Sequence, residues 1–178
     1  MRVAVALACA ALALAAPAKA QTFEEAVREN MALGLRLCLS GGSDMQAWAN
    51  MFRAAGFAER VERSSGNSDT THFFTAPAGT AEVELYYGEL PEHCVVRTDH
   101  MGVTDASALL DQIVPQIYPG FVRRIDQGPP NPATGQPAIC VRYEDPANPI
   151  GLVVGVSTPV TGGCTEDGRS QFYQSYRV

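Results

Sequence analysis

The chain has 178 residues with a formal net charge of −6, and 46% of them are hydrophobic. That length holds one domain with a real core. The acidic balance repels phosphate backbones and anionic headgroups, which excludes nucleic acid and membrane surfaces as partners.

The first twenty residues read as a secretory leader. Arg2 precedes an apolar run over 3–16, followed by Pro17 and the small-residue triplet Ala18-Lys19-Ala20. A membrane span needs roughly 20 apolar residues, so the expectation is cleavage after Ala20, with no membrane insertion afterwards. Cys9 lies within the leader. Residues 1–20 carry two bases, Arg2 and Lys19, and no acid, so a mature chain over 21–178 would carry −8 and no lysine. Schiff-base and lysine-base mechanisms are thereby excluded.

Thr22-Phe23-Glu24-Glu25 is a capping box that starts a helix. Phe23, Val27, Met31, Leu35, Cys38 and Leu39 recur every three or four residues behind it, forming one apolar stripe that ends near Gly41-Gly42. A second capping box, Ser43 to Gln46, opens a helix with Met45, Trp48, Phe52 and Ala55 on one face, closed by Gly56. The pair reads as a helical hairpin. Segment 60–71 is polar and reads as a loop. Strands are expected over 71–76 and 81–87, joined by a turn at Pro77, and over 93–98. In the second of these, Val83, Leu85 and Tyr87 should be buried, with Glu82, Glu84 and Tyr86 wet.

Thr104 or Asp105 caps a third helix with Leu109, Leu110, Ile113 and Ile117 inward; Pro115 should kink it or end it early. Strands then follow over 121–127, 138–144, 150–158 and 171–177. The reading is one α+β domain over 21–178. An N-terminal helical hairpin and one further helix pack on one face of a largely antiparallel sheet of about six to seven strands. The likeness of Cys94-Val-Val-Arg97 to Cys140-Val-Arg142 is too short to mark a repeat.

Four cysteines remain after the leader, an even number in an exported chain, which reads as two disulfides. Cys38 lies on the buried helical stripe and needs a partner on the covered face of the sheet, which Cys94 supplies beside Val96. Cys140 and Cys164 then form the second bridge. Cys94–Cys140 with Cys38–Cys164 is the competing pairing.

No motif assigns catalysis. The histidines after the leader are His72, His93 and His100, and a metal or hydrolase reading would use His93, Asp99 and His100 with Glu92. Successive residues on a strand face opposite ways, which sets His93 against Cys94 and does not favour a thiol nucleophile. No nucleophile elbow, HExxH or C-x-x-C spacing occurs, and no cofactor is implied. The pattern left over is aromatic and arginine residues on predicted strands: Tyr86, Arg97, Arg142 and Tyr173 would form a binding face if one uncovered side of the sheet carried them. The alternative is that tyrosines simply suit strands and cover the sheet.

The helix bearing Cys38, the Trp48 helix ending at Ala55-Gly56-Phe57, and the strand His93-Cys94-Val95-Val96 together resemble small secreted alphaproteobacterial proteins of unknown function. The resemblance implies periplasmic residence and a structural cysteine pair, and brings no catalytic residue. The leading expectation is a non-enzymatic periplasmic domain that binds a protein or small ligand. A small periplasmic hydrolase or metalloenzyme using His93, Asp99 or His100 is the alternative, and an envelope assembly accessory acting within a complex is a third class.

Overall fold

The computed structural model describes residues 21–41, 45–64, 69–87, 93–148 and 151–176. The leader, Ser43 of the second capping box, Glu92 and Arg177 lie outside the described residues.

Helix α1 (Phe23–Ser40) begins at the expected capping box: Glu25 N donates to Thr22 Oγ1 at 3.2 Å and Thr22 N to the Glu25 carboxylate at 2.9 Å. Its buried side is Val27, Met31, Gly34, Leu35, Cys38 and Leu39. Phe23, expected on this stripe, is half-exposed and meets the His100 ring edge-on. Helix α2 (Met45–Ala54) buries Trp48, Ala49 and Phe52. The Trp48 indole donates to Leu37 O at 2.9 Å and fills the space that any side chain on Gly41 would need.

The strands are β1 (Ala58–Arg63), β2 (Thr70–Thr75), β3 (Glu82–Tyr87), β4 (His93–Thr98), β5 (Val122–Pro130), β6 (Pro137–Glu144), β7 (Leu152–Ser157) and β8 (Ser170–Tyr176), with helix α3 (Val103–Ile117) between β4 and β5. They form one antiparallel sheet in the order β1-β2-β3-β4-β8-β7-β6-β5. The architecture is α+β: three helices on one face of an eight-stranded sheet. The additional strand is β1, in the stretch read from sequence as loop. Its sequence AERVER carries charges on both faces because it is an edge strand, exposed along most of its length, so no apolar alternation betrays it.

A duplicated plan underlies the order. Each half runs helix, then four-stranded meander, and the halves join where their last strands, β4 and β8, pair. The repeat lies in topology, not in residues.

The covered face is read from the register. Phe74, Val83, Val96, Phe172 and Val156 stand opposite one another in turn across five strands. Helix α1 lies over β4, and its Gly34 is so close to Val96 that an added methyl would sit 2.8 Å from Cγ1. Helix α2 seats Phe52 on Phe74 with ring centroids 5.0 Å apart. Helix α3 lies over β6 and β7; its Ser107 hydroxyl donates to Ile139 O at 2.9 Å and accepts from Val141 N at 3.1 Å.

Three local expectations are corrected. Helix α3 starts at Val103 behind Gly102, with neither Thr104 nor Asp105 as its cap. The cap is remote: the Glu166 carboxylate accepts from Thr104 N at 3.0 Å and occupies the space a side chain on Gly102 would fill. The helix also continues through Pro115 to Ile117, because the proline is exposed near its end and removes only the bond to Asp111 O. At the end of β3, Tyr86 is buried on the helix-free face and Tyr87 is exposed on the other, the reverse of the expected alternation, because the helices do not reach Tyr87 while Tyr86 has its own cover.

Two disulfides join Cys38 to Cys94 and Cys140 to Cys164. The first bolts α1 to β4. The second ties the 158–169 loop to β6 on the opposite side of the sheet.

Candidate binding face

With every helix on one side, the other face of the sheet, about 34 Å wide at ~4.8 Å per strand step, carries no helix, and the 158–169 loop covers only its Cys140 end. Its central row runs Arg60, Phe73, Glu84, Val95, Tyr173, Gly155, Arg142 and Arg124, one residue from each strand. Tyr86 lies two residues along β3 from Glu84, and Arg97 two along β4 from Val95. Tyr86, Arg97, Arg142 and Tyr173 therefore share this face, within three adjacent rows.

Each is held in place. The Tyr86 ring, 9% exposed, stacks on His93 at 5.1 Å between centroids and 11° between planes. His93 Nε2 lies 3.4 Å from Glu84, and that hydrogen bond holds the Glu84 carboxyl below the usual range against the opposing effect of burial. Arg97 bridges Glu82 at 3.2 Å and Glu84 at 3.5 Å. Tyr173 lies flat across Gly155 on the neighbouring strand: a methyl there would come within 2.5 Å of Cζ and the phenolic oxygen. Burial pushes the Tyr173 hydroxyl above its ordinary range. Arg142 pairs with Asp126, and Arg124 with Glu144 at 2.9 Å. The tyrosines do cover the sheet, as strand propensity alone would have it, and in doing so become fixed flat plates between paired charges.

At the Arg97 end, a cleft of about 250 Å³ opens between the β2–β3 turn and the 158–169 loop, lined by Arg97, Asp99, His100 and Arg169. Ala78 and Val160, in those two loops, are the non-glycine residues with left-handed backbone among those described, at φ 58° and 70°. Such a conformation costs a β-branched residue about 1–3 kcal/mol. Val160 is nonetheless 97% exposed, so no packing of its own side chain holds it there. The loop is held by Gly162 N on Thr158 O at 3.1 Å, Thr165 N on Thr158 Oγ1 at 2.9 Å, and the Cys164 bridge.

The residues of the metalloenzyme reading are not gathered. His93 opens β4 while Asp99 and His100 follow its end, about 20 Å away at ~3.3 Å per residue. Among the described residues no group of three or more His, Cys, Asp or Glu side chains could hold a metal ion. Cys94 is consumed by the bridge to Cys38.

Two further clusters have no sequence signal beyond their residue types. His72, buried in β2, places Nδ1 2.7 Å from Glu59, which the Arg53 guanidinium grips with contacts of 2.6 and 2.7 Å. The Arg53 hydrogen bond, and then that of His72, lower the Glu59 carboxyl despite burial. Under α3, Asp111 accepts from Arg123 at 2.7 Å and from the Tyr143 hydroxyl at 2.8 Å. Burial would raise Asp111, and these bonds more than reverse it; burial and the Asp111 hydrogen bond push Tyr143 up to about 12. Each cluster unites residues from different elements, so only the fold assembles it.

Compared with known protein families, curated proteins and solved structures, the chain matches no family model, no curated protein and no solved structure.

Proposed function

We propose that this chain is an exported, non-enzymatic binding domain and that the helix-free sheet face docks a protein partner. The leader pattern and the two disulfides support export to an oxidising compartment such as the periplasm. The observation that carries the binding reading is the fixed patch of Tyr173, Arg97 and Arg142 on the helix-free face, with Tyr86 packed against His93 beside it. Tyrosine and arginine are the residues that dominate protein interfaces. Side chains already immobilised by Gly155, His93 and flanking carboxylates lose little further entropy on docking. The patch is broad and charge-alternating, which fits a protein surface better than a small molecule. The cleft beside Arg97 would then admit one projecting side chain of the partner.

The test is site-specific photocrosslinking in cells that express the chain with its leader. A crosslinker at Gln171 on the open face should trap one adduct of defined mass, weakened by Arg142→Glu. The same crosslinker at exposed Arg28 or Gln112 on the helices should trap none. Equal trapping from both faces, or no adduct from Gln171, defeats the reading. Intact mass of the exported protein should correspond to a chain starting at Gln21.

A further inference from the structure

We propose that the β1 edge pairs with β1 of a second copy of this chain, antiparallel about a two-fold axis through Val61, to make one continuous sheet. The proposal is independent of the partner docked on the open face.

The two edges of the sheet differ. At β5 the ladder slips between Gln127 and Pro130, and Pro129 and Pro130 offer no amide, so that end of the β5 edge is defended. At β1 the register with β2 runs unbroken from Ala58 to Arg63, with no proline or bulge, and among the described strands β1 pairs only with β2. Residues opposite one another in an antiparallel ladder bond on alternate positions. Ser64 N donates to Asp69 O at 3.1 Å, so Ser64, Glu62, Arg60 and Ala58 face β2. Ala76 N donates to Ala81 O at 2.9 Å, which turns Thr75, Phe73 and Thr71 toward β1 and gives the same assignment from the other side. The amides and carbonyls of Glu59, Val61 and Arg63 therefore point outward.

The side chains select the register. Centring the two-fold axis on Val61 sets Glu59 opposite Arg63 of the second copy and Arg60 opposite Glu62, on opposite faces of the sheet. Val61, 39% exposed, meets itself. A centre at Arg60 or at Glu62 would set like charges face to face, which is destabilising. Glu59-Arg60-Val61-Glu62-Arg63 is thus complementary to its own reversal in one register. Because the pairing is isologous it closes at two copies.

A six-residue edge is smaller than a standard interface, so the dissociation constant should be on the order of micromolar. Sedimentation equilibrium of the full chain should show a monomer–dimer equilibrium. Val61→Pro deletes the central outward donor, leaves the bonds to β2 intact, and should give monomer throughout with an unchanged circular dichroism spectrum. Arg60→Glu should weaken the dimer roughly tenfold, by setting carboxylates opposite one another twice. Arg60→Glu with Glu62→Arg should restore it. A wild-type monomer at every concentration overturns the proposal, as does a dimer indifferent to Val61→Pro. Failure of the double reversal to recover the dimer overturns the register.

Discussion

Removing the Cys38–Cys94 bridge should destabilise the protein more than removing Cys140–Cys164, and the structure sets the size of each effect. The first pair is separated by 56 residues and the second by 24. On the chain-entropy relation, closing these loops contributes about 4 and about 3.5 kcal/mol respectively. Packing widens the gap. Cys38 and Cys94 are both fully buried between α1 and β4, so replacing them with alanine leaves a void costing about 1 kcal/mol more. In the second pair Cys140 is equally buried, but Cys164 is only partly buried, in a surface loop. The expected losses are therefore about 5 kcal/mol for Cys38→Ala/Cys94→Ala and about 3.5 for Cys140→Ala/Cys164→Ala, against total stabilities of ~5–15 kcal/mol. Urea unfolding followed by tryptophan fluorescence measures both, since Trp48 is the sole tryptophan and is buried. The steeper denaturant dependence of a less constrained unfolded chain should appear in both variants. The reasoning is refuted if the order reverses, or if neither variant loses more than about 1 kcal/mol.

Three more expectations follow from single contacts. Gly155→Ala should lift Tyr173 off its neighbour, costing about 1–3 kcal/mol and returning the Tyr173 hydroxyl toward its ordinary range in an ultraviolet pH titration. Because the Tyr143 pKa is raised to about 12, the folded state retains a proton that the unfolded state releases near ~10; stability should fall between those pH values, and Tyr143→Phe should remove that step from alkaline denaturation curves. Glu166→Ala should cost about 1 kcal/mol by uncapping α3, detectable as faster amide exchange at Thr104.

The sequence showed the fold wherever burial imposed a period. Val27, Met31, Leu35 and Cys38 announce α1, and a cysteine on a buried stripe must find its partner on the sheet beneath. Where burial is absent the period vanishes, and β1, wet along most of its length, reads as loop. Tyr86 and Tyr87 mislead for a related reason: cover at the end of β3 comes from His93 on the helix-free side, a contact that cross-strand register creates. Glu166 as the cap of α3 and the Arg53–Glu59–His72 chain span separations that no local window contains. For the open face, the sequence supplied the residues. Their shared side follows from strand register, which depends on β4 pairing with β8.

That central pairing has a consequence for the order in which the molecule can be made. β8 is the last described strand, yet it lies at the middle of the sheet, with β4 on one side and β7 on the other. Thr98 must wait for Ser170 before the two half-sheets can join, and loop closure over such a separation is slow. A chain emerging from its N-terminus can assemble the β1–β4 meander early, but that half keeps an unpaired inner edge until 170–176 arrives. The topology therefore holds the emerging chain short of its native state until synthesis has passed β8.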